Sequence, residues 1–402
     1  MSNTMDDHCP DGTLESAIAV LKDLIAYPSV SSSSNLEISE HCSALLSELG
    51  FSIWRSQYDD QRGVRKVNLV AVRQPLAERS QPQLPGLAYF CHTDVVPAKQ
   101  WIGPGGQADR GDPFDALVYN DRIYGRGACD MKGSFAAMVS AVARIDRRAQ
   151  TAPIWLVCTA DEEIGFEGAK HMVRQCPGYR QLVASDPPSI IGEPTEMNVV
   201  YAHKGIQGCK IRSIGRAGHS ATAYGINANE AMVPMLSKLL QLCKLTREDP
   251  GLRDDRFDPP TLSWNFGFND HSHVVNITPE RSDAWVCLRT MPGVDEQPLF
   301  AQVQQAADQL GLQFTLVPGC DPLWTDPSSA FVQQLKTLAG TQTQTVCYAT
   351  DGGVMNELSQ RVVIGPGSIH QAHTVDEWIA IDQLQRGIEV YETALRHWCL
   401  SG

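Results

Sequence analysis

Apolar positions in the first part of the chain repeat with two different periods. Leu14, Ile18, Leu21 and Ile25 recur at steps of four, three and four, which predicts one face of a helix. A second helix is predicted over 37–49, with Gly50 suited to its left-handed C-terminal cap. Short apolar runs then dominate: Val67–Val72, Leu87–Cys91, Ile154–Cys158 and Ser189–Ile191, with a helix over about 134–147 between two of them. Runs of this kind separated by helices predict an α/β domain with a mostly parallel sheet covered on both faces. The serine run Ser31–Ser34 reads as a loop.

Residues 201–318 carry a different pattern. Cys209–Ile214, Ala284–Arg289 and Leu312–Val317 have the mixed polarity of half-buried strands. Asn227 followed by Glu230 resembles a capping box, with Pro234 perturbing the early turns of its helix. Asp295 is placed to cap another helix, with Leu299, Val303, Ala306 and Leu310 on one face and Gly311 at its end. The order strand–helix–strand–strand–helix–strand predicts an α+β sandwich inserted in the larger domain. The expected domains are therefore 1–200 with 319–402, and 201–318.

Composition narrows the partners. A chain of 402 residues is long enough for two hydrophobic cores. Its net charge of −13 disfavours nucleic acid and anionic membrane as partners. The polar, acidic start lacks the basic and apolar regions of a signal peptide, and no apolar run reaches the length of a membrane helix. Twelve cysteines without a CxxC pair suggest free thiols and a cytoplasmic setting.

The polar residues with chemical potential stand just beyond apolar runs. His92 follows LAYFC, Glu162 and Glu163 follow PIWLVCTAD, and Glu193 follows SIIG. Asp130 lies in GRGACDMKG, and a late run, Val362–Ile364, precedes the loop with His370 and His373. Ligands of open α/β sheets bind beyond the carboxyl ends of strands, so these segments are aimed at one crevice. Asp94, two residues after His92 in an extended segment, is placed to take the other ring N–H of that histidine. Adjacent carboxylates such as Glu162 and Glu163 repel, and burying both calls for a cation. One can then bind metal while the other, Glu162, carries protons. His92, Asp130, Glu163, Glu193 and one late histidine would suit two divalent ions if a carboxylate is shared. Spacing alone does not choose between His370 and His373. Each motif by itself is weak: an isolated HxD is more often a surface pair, and a lone DEE a solvated turn. No GxSxG elbow is present, and no cysteine stands in a recognisable catalytic setting.

Taken together, HTDVVP, DPF…YGRGACDMKG, TADEEIG, IIGEPT and GPGSIHQAHTVDE resemble the M20 metallopeptidase and deacylase family over residues 12–398. YAHKG at 201–205, GRAGHSA at 215–221 and the final GPGSIHQAH are most similar to the branch that deacylates acetylated ornithine. The resemblance implies a catalytic domain with an inserted lid or dimerisation domain, and two zinc ions. It implies that His92 and Glu193 hold one ion, Glu163 and His373 the other, that Asp130 bridges, and that Glu162 is general base. It also implies that His219 stabilises an oxyanion, often in a partner subunit, and that Asn276 and Arg289 bind substrate. Arg289 would suit a carboxylate through its planar fork. Cobalt or manganese would suit the same mixed ligands.

Two departures from the family pattern concern the cleft rim. GPGGQADRG lengthens the segment between Trp101 and DPF, and Asp351 stands where the ornithine-specific branch carries glutamate, with equal charge and shorter reach. The expected activity is hydrolysis of an N-acyl amide on a small acylated amino acid, N2-acetyl-L-ornithine first, by a homodimer. Succinyl-diaminopimelate, acetylcitrulline and a dipeptide are the rival substrates. A non-catalytic dimeric binding protein on the same fold is the alternative from another class.

Overall fold

The computed structural model describes residues 10–76, 85–104 and 111–400; His8 and residues 105–110 of the rim insertion lie outside the described residues. The chain divides into two compact units. One comprises Met1–Tyr201, Trp324–Gln344 and Thr350–Gly402, the other Ala202–Leu323 and Thr345–Ala349. The return point therefore falls after residue 318, and a short later segment rejoins the second unit. Its tethers are the Thr345 hydroxyl, which donates to the Arg256 carbonyl, and the Cys347 thiol, which donates to that of Asp258.

In the first unit the helix Leu14–Ile25 starts at Thr13, whose hydroxyl accepts the Ser16 N–H at 3.1 Å and satisfies a free helix-end donor. Val20, Leu21, Leu24 and Ile25 are buried, while Leu14 and Ile18 sit at the margin of the core. The second helix spans Leu36–Glu48, and Gly50 follows at φ +84°. The helix Gly133–Ala143 is shorter than its apolar pattern predicts, because the chain tightens to i→i+3 bonds at Arg144 and Ile145.

The large sheet has nine strands among the described residues. Its centre is parallel: Ile154–Thr159 pairs with Leu87–His92, which pairs with Ser189–Ile191, which pairs with Arg361–Val363. Antiparallel strands flank it, with Arg65–Arg73 and Ser52–Asp59 on one side and Val199–His203 on the other. Every residue of Leu87–His92 and Ile154–Thr159 is buried, as two covered faces require. Leu87, Tyr89 and Cys91 pack in one core with the helices Leu14–Ile25, Leu36–Glu48, Gly133–Ala143 and Ile381–Cys399. Cysteines among the described residues are free, and no helix there is long and apolar enough to cross a membrane.

The second unit is an antiparallel sheet in the order Ser263–Asn269, Arg281–Thr290, Gly205–Ile214, Gln313–Cys320. Ser263–Asn269, with its half-exposed residues, was not singled out by the sequence pattern. Ala284, Val286 and Leu288 alternate inward beneath the helix Asn229–Glu248, while the helix Gln297–Gln309 packs on that helix and on Gln313–Cys320. No Asn–Glu capping box forms: Asn227 Oδ1 accepts the Asn229 N–H at 2.9 Å, an Asx-type turn that precedes the helix, and Pro234 is accommodated within it. Asp295 Oδ1 accepts the Gln297 N–H at 3.0 Å ahead of its helix, whose buried face carries Ala307 while Ala306 is only half-buried.

One buried ion pair anchors the turn after Ile154–Thr159. Lys66 Nζ lies 2.5 Å from Asp161 Oδ1 and donates to the carbonyls of Ser31 and Ser33, while the Tyr58 hydroxyl donates to Asp161 Oδ2 at 2.8 Å. Both charged side chains are essentially inaccessible. Lys66→Met is therefore expected to cost about 3–5 kcal/mol, because it strands a buried carboxylate. Tyr58→Phe should cost about 1 kcal/mol. Urea unfolding followed by tryptophan fluorescence checks the order, and an unshifted Lys66→Met midpoint refutes the anchor.

Candidate metal centre

Three neighbouring parallel strands end on the same edge of the sheet, and each delivers an acid or an imidazole there. His92 is the last residue of Leu87–His92. Glu162 and Glu163 follow Ile154–Thr159 through Asp161, which takes the left-handed φ of +54°. Glu193 follows Ser189–Ile191 through Gly192, where a Cβ would stand 2.3 Å from the Tyr89 hydroxyl and 2.5 Å from that of Ser134. Only glycine permits that close approach. Asp130 lies in the irregular segment Ala128–Lys132, with extended φ and ψ of −120° and 96°. His373 follows the helical turn Ile369–Gln371 and adopts φ +62°, a left-handed conformation sparsely used by non-glycine residues. His370 lies exposed within that turn, outside the cluster.

The side chains converge. His92, Asp130 and Glu163 each offer one donor atom, all within 4.8 Å of one another. Asp130 Oδ1 stands 3.0 Å from His92 Nε2, and Asp130 Oδ2 stands 3.3 Å from His373 Nε2. Glu193 Oε1 is 3.6 Å from His92 Nε2, and Glu163 Oε1 is 3.0 Å from His373 Nε2. One carboxylate thus presents its two oxygens to two imidazoles, each with a second carboxylate beside it.

Asp94 corrects one expectation. His92 Nδ1 lies 2.9 Å from the Asp94 backbone carbonyl, whereas the Asp94 carboxylate is 3.8 Å away. With its N–H given to that carbonyl, Nδ1 leaves the Nε2 lone pair facing Asp130, the arrangement a metal-binding imidazole needs. The carboxylate instead accepts from the Ser31 hydroxyl at 2.7 Å and from the Glu162 and Glu163 N–H groups at 3.2 and 3.4 Å. Asp94 therefore orients His92 through its main chain and the glutamate turn through its side chain.

The carboxylates are concentrated and largely buried, whereas His373 is half exposed. Burial raises the carboxyls of Glu162, Glu163 and Glu193 above the ordinary glutamate range, and neighbouring carboxylates raise them further. Burial also opposes ionisation of Asp130, but hydrogen bonds from His373 and His92 hold it well below the aspartate range. For His92, burial disfavours the cation, yet Glu193 and Asp130 outweigh it and raise the pKa well above normal. Hydrogen bonds to Asp130 and Glu163 push His373 up to about 10. Carboxylates outnumber imidazoles in this cluster, and the excess negative charge is stable only with a compensating cation. The mixed imidazole and carboxylate donors suit a borderline divalent ion such as zinc.

Asp351, in the turn Asp351–Gly353, is buried near Glu162 and raises its pKa. Its Oδ2 accepts from the Thr159 hydroxyl, while Oδ1 is buried without a hydrogen-bond partner. Burial pushes the Asp351 carboxyl up to about 7. His219, Asn276 and Arg289 belong to the second unit. There the exposed His219 forms a bridge with Ile277, the carbonyl of exposed Asn276 accepts the Ser220 N–H at 3.0 Å, and Arg289 sits between Ile206 and Ser263 in the sheet. Sequence reasoning overlooked Ser31, Arg126 and Glu377 as supports of the cluster. The last two lie inside segments already singled out, YGRG and HTVDE, but nothing local to either segment marks a contact across 251 residues.

Strand ends that aim imidazoles and carboxylates at one point define a metal-binding hydrolase. Residues 88–397 match peptidase family M20/M25/M40, and the chain belongs to that family. It is 30% identical to an acetylornithine deacetylase from Vibrio vulnificus, over 96% of this chain and 99% of the relative. It is 28% identical to one from Photorhabdus laumondii, over 96% and 97%. Among solved structures it is similar to an M20 family metallo-carboxypeptidase from Sulfolobus solfataricus, with a TM-score of 0.74, 19% identity and coverage of 95% and 99%. A dinuclear metal binding peptidase of the M20 family from Bacillus subtilis matches with a TM-score of 0.64, 14% identity and coverage of 96% and 98%. At these identities the structures show the fold alone.

Since Asp130 faces both imidazoles, Asp130→Ala is expected to weaken divalent-ion uptake more than His92→Ala or His373→Ala. Emission spectrometry after equilibrium dialysis reads the difference. Zinc at 100 times its dissociation constant should stabilise the chelator-stripped protein by about 2.7 kcal/mol. An unchanged melting midpoint would contradict a specific site.

Proposed function

We propose that this chain is a dinuclear metal amidohydrolase that removes the acyl group from an N-acylated amino acid, with N2-acetyl-L-ornithine as preferred substrate and acetate and L-ornithine as products. The released ornithine would serve arginine biosynthesis. The observation that carries the reading is the Asp130 carboxylate between two imidazoles, each with its own second carboxylate. His92 and Glu193 would hold one ion, His373 and Glu163 the other, and Asp130 both. Zinc is the proposed metal, with cobalt or manganese as substitutes. The acetylornithine deacetylases that match nearly the whole chain support the choice of substrate.

Bound divalent ions supply Lewis acidity, lowering the pKa of water toward about 7 and polarising the acyl carbonyl. Glu162 takes the proton of the attacking water as its oxygen bonds to the acyl carbon. The C–N bond then breaks, and Glu162 returns the proton to the leaving amine. Its raised pKa suits both halves of that transfer. Asp94 holds the glutamate turn in register through the two N–H bonds. The unpartnered, buried Asp351 Oδ1 suits a substrate N–H or ammonium donor, as an amino-acid substrate would bring. By resemblance His219 stabilises the oxyanion, Asn276 and Arg289 bind substrate, and a second copy of the chain is the partner.

Glu162→Gln should retain metal and lose roughly 10²–10⁴-fold in kcat. Near-normal turnover would remove Glu162 from the role. Asp351→Asn should raise KM for acetylornithine by roughly 10–100-fold, as expected for a lost bond to a charged group. Rates of the metal-loaded protein on acetylornithine, succinyl-diaminopimelate, acetylcitrulline and a dipeptide decide the substrate. A preference for any of the last three would displace acetylornithine, and no turnover of any of them would favour a binding protein.

A further inference from the structure

Glu377 is a buried carboxylate, 1% exposed, that no step above uses. It sits just before the strand Trp378–Ala380, which pairs antiparallel with Arg122–Tyr124. That pairing carries its side chain under the turn that leads to Asp130. Glu377 Oε1 accepts the N–H groups of Cys129 and Asp130 at 2.9 and 3.0 Å. Its Oε2 accepts the Gly127 N–H at 3.0 Å and Arg126 Nη1 at 2.6 Å. The second arm of the Arg126 guanidinium donates to the carbonyl of Thr374, the residue after His373, at 2.9 Å. Gly127 makes the convergence possible. It adopts φ +85°, and a Cβ there would meet Val95 Cγ1 at 2.8 Å.

We propose that Glu377 and Arg126 are positioning residues that hold Asp130 and His373 at a common spacing. Glu377 gathers the backbone N–H groups of the Asp130 loop onto one carboxylate, an anion-binding nest closed by a side chain of the protein itself. Arg126, through its planar fork, ties that nest to the loop of His373. Neither residue touches substrate. Removing the clamp lets the shared carboxylate and the second imidazole drift relative to each other, so the ion between them is held less tightly.

This inference rests on the two-metal reading, and titration calorimetry of the chelator-stripped full chain with zinc separates the two. Glu377→Gln turns an NH₂ group toward N–H donors. It should weaken one of the two zinc equivalents about 10–100-fold, the usual effect of losing a ligand's supporting partner. At limiting zinc kcat should fall while KM stays within about twofold, because substrate contacts are intact. Arg126→Lys keeps a charge beside Glu377 but loses the two-armed fork that reaches Glu377 with one nitrogen and Thr374 with the other, and should show a smaller loss at the same equivalent. Two wild-type zinc affinities in both variants, whatever their melting temperatures, overturn the clamp. If Glu377→Gln does not fold, Arg126→Lys alone decides, with unchanged affinity again refuting it. A wild-type chain that takes up no zinc sinks the metal reading instead.

Discussion

The rest of the structure depends on one electrostatic constraint: buried carboxylates gathered at one sheet edge must be compensated. Asp130 and Glu163 approach His92 and His373 to within hydrogen-bonding range, Glu193 stands 3.6 Å from His92, and Glu162 and Asp351 are close behind. In a low-dielectric interior such a group is unstable by itself and becomes stable around cations. That requirement explains why the sheet must be rigid where its strands end. A carboxylate displaced by an ångström loses its charge-assisted hydrogen bond and is left buried with weaker compensation.

The fold supplies that rigidity in layers. Parallel strands with both faces covered align three of the contributing loops without effort, since their carboxyl ends fall on one edge. Irregular backbone does the rest. Left-handed Asp161 redirects the chain after its strand, and the Lys66 ion pair holds Asp161 in place. The Asp94 carboxylate collects the next two N–H groups, and Glu377 collects those of the Asp130 loop. A buried charge from elsewhere in the chain satisfies backbone groups that no helix or strand uses, carbonyls for Lys66 and N–H groups for Asp94 and Glu377. The local cost of unusual conformations is thus offset by charge-assisted hydrogen bonds.

On the proposed reading, this arrangement also divides labour between the neighbouring acids Glu162 and Glu163. Glu163 shares a hydrogen bond with His373 and so stands among the ion-binding groups. Glu162 is more deeply desolvated, and its pKa is raised by burial and by surrounding carboxylates, among them Asp351. The same sequence doublet therefore yields one group suited to a cation and one suited to a proton. Asp351 extends the pattern one step outward, with one oxygen satisfied by Thr159 and the other left for a donor from outside the chain.

Much of this was legible in the sequence because the relevant signals are local. Apolar runs marked the covered strands, polar residues directly after them marked the sheet edge, and a helical period located Leu14–Ile25. Capping was legible only in part: Asp295 and Asn227 do take backbone N–H groups, but two residues on, because an Asx turn competes with the longer-reaching cap. Contacts across the chain were not legible. Nothing near Glu377 predicts that its carboxylate binds N–H groups 247 residues earlier, and nothing in HTD tells a carbonyl from a carboxylate as the partner of His92 Nδ1. Periodicity and residue type set which groups reach the edge of the sheet. Which atoms then meet was decided by tertiary packing, since hydrogen-bond partners follow ångström-scale positions that only the assembled backbone defines.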